Sequence, residues 1–324
     1  MIIIYFCSVK YILNEKIYIA VHLTFIIMES RKIQLVGNRS YSISLPKQWV
    51  ISNNLKQKDS VFIEIDSNNE LVIRGIKLTK DEKSRITVNL EEIDDIKEFL
   101  MFCYIKNIDN IRLLTKNQDY EKIKSIKNIL NYLEGYDIVS EDENKIEISF
   151  LFNDININIQ KILARMTYLL KLLLTSLQNK DKAILEETET SIDRLYHLSK
   201  RILFSCIHNQ KLRTENKINN SEDIFFYKDI FKRLENIGDQ LVKLKNNNIS
   251  NNETKIVTEF IDFLYQLLIR KQNPHELKKY FVKIKIRSPN SFIKNILTRI
   301  DELCTDVLEN AMSIEFNNNY FDKH

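Results

Sequence analysis

Three short stretches place acidic side chains four residues apart: ETSID with Glu189 and Asp193, ENIGD with Glu235 and Asp239, and ELCTD with Glu302 and Asp306. On a helix this spacing stacks both carboxylates on one face, where like charges repel by about a few tenths of a kcal/mol. A cation held between them turns that penalty into an attraction. Oxygen-only donors suit hard or borderline ions such as Fe, Mn, Mg or Zn, and do not choose among them. The plainer reading of any single pair is a solvated helix face. His197 follows Asp193 by four residues and can join the first group or stand beside it as a hydrogen-bonded bystander.

Other chemistry is excluded by what the chain lacks. It has no phosphate-cradling glycine loop, no nucleophile elbow and no HExxH pair, so no enzyme is expected. Cys7, Cys103, Cys206 and Cys304 are far apart and show neither a zinc spacing nor a disulfide framework, which suits a reducing, cytoplasmic compartment.

The elements that must position these residues follow from composition and period. The 324 residues include 4 Gly and 3 Pro at 44% apolar content, enough for two or three domains dominated by long helices. The net charge of +4 is too small to argue for nucleic acid unless it is clustered. It is clustered, with Arg31, Lys32, Arg39, Lys47, Lys56 and Lys58 set against only Glu29 and Asp59 between residues 28 and 60. Residues 1–27 are apolar, but Lys10, Glu15 and Lys16 cut them into runs shorter than the roughly 20 residues a membrane span needs. They read as a start-site overrun or an apolar extension rather than a signal peptide or anchor, and no stable membrane insertion is expected.

From 28 to 76 the chain reads strand, strand, short helix, strand, strand, with Ser44 as a cap ahead of Pro46. From 77 to 151 the pattern is a small α/β connector, with strands near 85–90, 109–115, 137–141 and 145–150, helices near 92–105 and 119–134, and Gly135 as the C-cap of the second helix. From 152 to 318 it is helical throughout, beginning with the amphipathic series Ile159, Ile162, Leu163, Met166, Leu169, Leu170 and Leu173. FVKIKIR, residues 281–287, alternates like a strand inside helical surroundings. Leu277 to Arg299 holds seven cations and no acid, a solvated face or a docking surface for phosphate, an acidic partner or a membrane.

A strand-rich piece of this size cannot bury enough surface alone and should pair with a copy of itself. Its residues VGNRSYSISLPKQWVISNNLKQKDSVFIEIDSNNELVIRG resemble the AbrB/SpoVT family of DNA-binding domains. The resemblance implies a swapped-hairpin β-barrel shared by a homodimer, with Arg31, Lys32, Arg39 and Lys47 on double-stranded DNA phosphates. The alternative makes them ordinary charges on an oligomerisation module. Trp49 is expected in the small barrel's core.

FKRLENIGDQLVKL resembles the signature of PhoU-family phosphate-uptake regulators, and SIDRLYHLSKRIL and TRIDELCTDVLENA resemble that family's preceding and final helices. This implies a pair of three-helix bundles, with Glu189, Asp193, Glu235 and Asp239 as metal ligands in the first half and Glu302 and Asp306 in the second. Gln240 stands where the signature has His, and no acidic pair precedes residue 290 to complete the second half. Gly238, costly inside a helix, suggests close approach of a neighbouring backbone.

The expected fold is thus multidomain α+β: an AbrB-like barrel, an α/β connector and an all-α PhoU-like region. The expected function is a dimeric transcription regulator of phosphate homeostasis. A second reading is an adaptor that restrains a phosphate transporter or its sensor kinase without DNA. A third, a metal oxidase or hydrolase, lacks the Glu-x-x-His pairs it needs.

Overall fold

Among the described residues up to 75, the strands pair as separate two-stranded ribbons. The computed structural model describes residues 2–13 and 16–27 as backbone, and 30–37, 39–65, 71–75, 85–116, 120–151 and 158–321. The chain divides into two units, Met1–Leu78 and Thr79–His324.

In the first unit β1 (Ile2–Leu13) and β2 (Lys16–Ile27) form one antiparallel hairpin with Ile2 opposite Ile27. A second hairpin joins β3 (Gln34–Val36) to β4 (Ser40–Ser42). Its turn contains Gly37 at φ +61°, a left-handed conformation that costs glycine nothing. Helix α1 (Lys47–Ser52) follows, and then the hairpin of β5 (Phe62–Ile65) with β6 (Leu71–Arg74). One expectation is corrected here. Ser44 does not cap α1; Pro46 occupies the N-cap position with no side-chain hydrogen bond, its missing N–H costing nothing there. Trp49 is half-buried within this one copy, and no described side chain from 30 to 75 is fully buried.

The second unit opens with a four-stranded sheet in the order β7-β8-β10-β9. Strand β7 (Arg85–Asn89) runs parallel to β8 (Asn110–Leu114) through the crossover helix α2 (Ile96–Ile105). After α3 (Tyr120–Leu130), β9 (Tyr136–Asp142) and β10 (Lys145–Phe150) close the sheet as an antiparallel hairpin. The buried face of β10, Ile146, Ile148 and Phe150, meets Leu100, Tyr104 and Ile126 from the two helices. Gly135 is not the cap of α3, which ends five residues earlier; at φ +92° it makes the turn into β9.

Six longer helices follow: α4 (Ile159–Asn179), α5 (Lys182–His208), then after the short α6 (Gln210–Glu215), α7 (Asp223–Val242), α8 (Asn251–Leu268), α9 (Pro274–Phe281) and α10 (Ser291–Phe316). Their starts are written locally. Asn158, Asp181 and Asn290 accept hydrogen bonds from backbone amides one turn on, and Ser250 with Glu253 forms a capping box. Helices α4, α5 and α7 pack as one trio and α8, α9 and α10 as another, while α7 lies on α10 and α4 on α8. One apolar core, including Leu170, Phe231, Phe260, Leu264 and Leu303, runs through all six. The ambiguous FVKIKIR is neither strand nor continuous helix: α9 ends at Phe281, and Ile284 and Ile286 turn inward from an irregular segment.

Arg201 of α5 joins the two layers of this unit. Its side chain is buried against the sheet, 3.8 Å from the Phe150 ring centroid, and donates to the Tyr104 carbonyl at 2.6 Å and to Asp109 Oδ1 at 2.7 Å.

Candidate metal centre and nucleic-acid interface

Helices α5 and α7 turn their acidic faces toward each other. Near Gly238 the packing is close: a Cβ there would lie 3.3 Å from Ile192 Cδ1 of α5 and 3.7 Å from Leu170 Cδ2 of α4. The neighbours are side chains, not the backbone that the glycine suggested.

Asp193, Glu235 and Asp239 each bring an oxygen within 4.8 Å of the others. Glu189 stands beside them and feels the charge of Asp239. The cost of gathering these charges shows in their protonation. Burial, then Glu235, Asp239 and Glu189, push the Asp193 carboxyl up to about 6. Burial and Asp239 also raise Glu189. Burial raises Glu235 despite the hydrogen bonds that Lys232 donates to it at 2.7 and 2.9 Å. Burial works against the Lys232 charge as well, yet its bond to Glu235 carries its pKa upward.

Such a donor set fits a hard cation: oxygen-only, converging from two helices, and under mutual repulsion that a positive charge would relieve. Lys232 holds both oxygens of Glu235 and would compete with an ion for them. His197 is not among the converging oxygens. Burial, then Lys200, Lys97 and Lys232, hold its ring at about 4, and its buried Nδ1 has no hydrogen-bond partner.

The third acidic pair goes elsewhere. Glu302 accepts from Arg299 at 2.6 Å, and Asp306 Oδ2 lies 2.9 Å from Nε of Arg233, which is also 3.9 Å from Asp229. The structure brings each of them to an arginine rather than to another carboxylate. All three described cysteines, Cys103, Cys206 and Cys304, are buried thiols; desolvation pushes Cys103 up to about 11 and Cys206 to about 12.

In the first unit the side chains of Arg31, Lys32, Arg39 and Lys47 are all exposed, with Arg39 in the β3–β4 turn and Lys47 opening α1. The same unit exposes Ile33 at 68%, Tyr41 at 71%, Ile63 at 59% and Ile65 at 67%. Residues 34–82 match the family model described as Antidote-toxin recognition MazE, bacterial antitoxin. That match supports the AbrB-like part of the resemblance and reaches none of the helical region. No curated protein and no solved structure matches the chain. No described helix is long and apolar enough to cross a membrane.

Of the carboxylates that the sequence singles out on α5 and α7, the structure brings Asp193, Glu235 and Asp239 together. Sequence reasoning missed Lys232 as their competitor and Arg201 as the tie to the sheet. A cation three residues before Glu235 was the available signal for the first. For the second there was none, since Arg201 meets Tyr104 and Asp109 across 97 and 92 residues of chain.

Proposed function

We propose that this chain is a homodimeric, DNA-binding transcription regulator of the cytoplasm, whose helical unit senses or transmits phosphate status with cations held on α5 and α7. The observation that carries the reading is the state of the first unit. It leaves Ile33, Leu35, Tyr41, Ile63 and Ile65 exposed, buries fully none of the described apolar side chains from 30 to 75, and carries Arg31, Lys32, Arg39 and Lys47 on its surface. A second copy supplies the missing half of the core, and the paired cations then present a two-fold positive surface to a duplex.

In the helical unit Asp193, Glu235 and Asp239, with Glu189 beside them, would hold the cation. A bound ion would supply fixed positive charge and tie α5 to α7. The chain's own residues then set the response: Lys232 is released from Glu235, and Arg201 carries the position of α5 to the sheet. The phosphate signal and the regulatory role rest on the PhoU resemblance of FKRLENIGDQLVKL and its two companion helices.

Electrophoretic mobility and anisotropy measurements on duplex DNA test the reading. Affinity is expected to fall steeply with salt, and Arg39→Glu with Lys47→Glu should weaken it by about tenfold or more while lowering the salt slope. Occupancy of chromosomal sites should change between high and low phosphate. An undiminished affinity in that double variant sinks the assignment of these cations. Stable association with phosphate-transporter subunits, with no duplex bound even in dilute buffer, replaces the regulator by the adaptor.

A further inference from the structure

A cleft of about 700 Å³ opens where α4, α8 and α9 meet, lined among others by Tyr168, Lys171, Asp262, Tyr265, Gln266 and Tyr280. Three tyrosines from three helices line this one opening and are exposed: Tyr168 54%, Tyr265 36% and Tyr280 51%. Exposed rings beside a cavity offer π-faces to a planar ligand.

Each ring has cations at hand. The Arg165 guanidinium lies 5.2 Å from the Tyr168 centroid and that of Arg270 5.6 Å from the Tyr265 centroid. Lys278 and Lys279 stand exposed in the last turn of α9 beside Tyr280. Beyond Phe281, Ile284 and Ile286 pack on the core, so alternation turns Lys283, Lys285 and Arg287 outward as an exposed row. Arg299, at the end of this acid-free stretch, pairs with Glu302; among the described residues no ion pair joins the other six cations to an acid.

We propose that this cleft binds an unstacked nucleotide, its base against the tyrosines and its phosphate on the surrounding cations. Asp262, Gln266 and Gln272 line the same opening with acceptors and amides for a base edge. The volume lies within the range of small-ligand sites, roughly 300–1,000 Å³. A duplex hides its base faces and cannot use the rings. A bare oxyanion has no use for them either. The chemistry is shared by a free nucleotide and by a single strand, whose backbone would continue along Lys283, Lys285 and Arg287.

The test uses the full chain with a saturating unlabelled duplex present to occupy the first unit. Anisotropy with short labelled single-stranded RNA and DNA, and calorimetry with ATP, GTP, AMP and GMP, read the binding. Tyr168→Ala, Tyr265→Ala and Tyr280→Ala should each weaken it about tenfold, and the matching Phe variants by no more than about twofold, because stacking needs the ring and not the hydroxyl. These positions are exposed, and circular dichroism with a melting curve confirms that each variant is folded. Lys283→Glu with Lys285→Glu separates the sources: loss of affinity identifies a strand, and unchanged mononucleotide affinity identifies a free nucleotide.

Arg39→Glu with Lys47→Glu, which should fail on duplex DNA, leaves this binding intact, so failure of the regulator reading and failure of the cleft are distinct results. The proposal is overturned if neither strand nor mononucleotide binds at low salt, if binding ignores the Tyr→Ala series, or if only anionic lipid vesicles or acidic peptides are retained.

Discussion

At the scale of single residues the decisive group is Asp193. Its carboxyl sits at about 6 in the folded protein against an ordinary 3.8. Between those values the folded chain holds a proton that the unfolded chain has released, so stability falls as pH rises from about 4 to about 6. Below that window the penalty is absent, and above it the penalty is complete. A cation at Asp193, Glu235 and Asp239 would reverse the trend, because it would bind the ionised form and compete with protons. The expected outcome is a melting temperature that Mn or Mg raises at pH 7.5 and leaves nearly unchanged at pH 5. Asp193→Asn should melt a few degrees above wild type at pH 7.5 without added cation, and should gain nothing when cation is added. Differential scanning fluorimetry across pH, with and without EDTA, reads both. A wild-type melting curve indifferent to cation at every pH removes the metal from this account.

At the scale of elements the tie between α5 and the sheet stands out. Arg201 is a buried charge whose cost is offset by Asp109, the Tyr104 carbonyl and three aromatic rings, those of Tyr104, Tyr136 and Phe150. Its surroundings leave marks on their own protonation: burial pushes the phenols of Tyr104 and Tyr136 upward, while Arg201 works against that shift. Arg201→Ala leaves a cavity and removes the partner of Asp109, so denaturant unfolding should show a loss of about 3 kcal/mol. Hydrogen exchange should locate the loosening in α2 and α5 rather than in α8–α10. Uniform exchange across the six helices would argue that the two layers unfold as one block and that Arg201 is not their joint.

At the scale of the whole molecule the proposed reading requires the first unit to pair with a second copy. Burying one isoleucine contributes about 2 kcal/mol, and this unit leaves Ile33, Ile63 and Ile65 each more than half exposed. The single tryptophan of the chain, Trp49, lies half-buried here and reports on this unit alone. Sedimentation equilibrium should find a dimer, and Trp49 emission should shift to the blue as concentration rises through the dissociation constant. Ile63→Asp should abolish both responses and, with them, duplex binding. A monomer at high concentration with unchanged emission would show that these side chains are covered in some other way.

The period of the apolar residues determined the kind and extent of most elements, because helix and strand faces are properties of a few neighbouring residues: Ile159–Leu177 specified α4, and ETSID and ENIGD each specified an acidic face. Local signals also misled, where Ser44 looked like a cap and Gly135 like a helix end, since cap chemistry depends on where the helix stops and not only on residue type. What the spacing could not decide was which faces meet. Glu302 and Asp306 have the same spacing as Glu235 and Asp239, yet one set meets Arg299 and Arg233 while the other converges with Asp193. Tyr168, Tyr265 and Tyr280 share no motif and become one cleft only when α4, α8 and α9 pack. Period is written within a turn or two of chain, whereas contact between distant elements is selected by volume and charge across the whole core, and that selection exists only in the folded molecule.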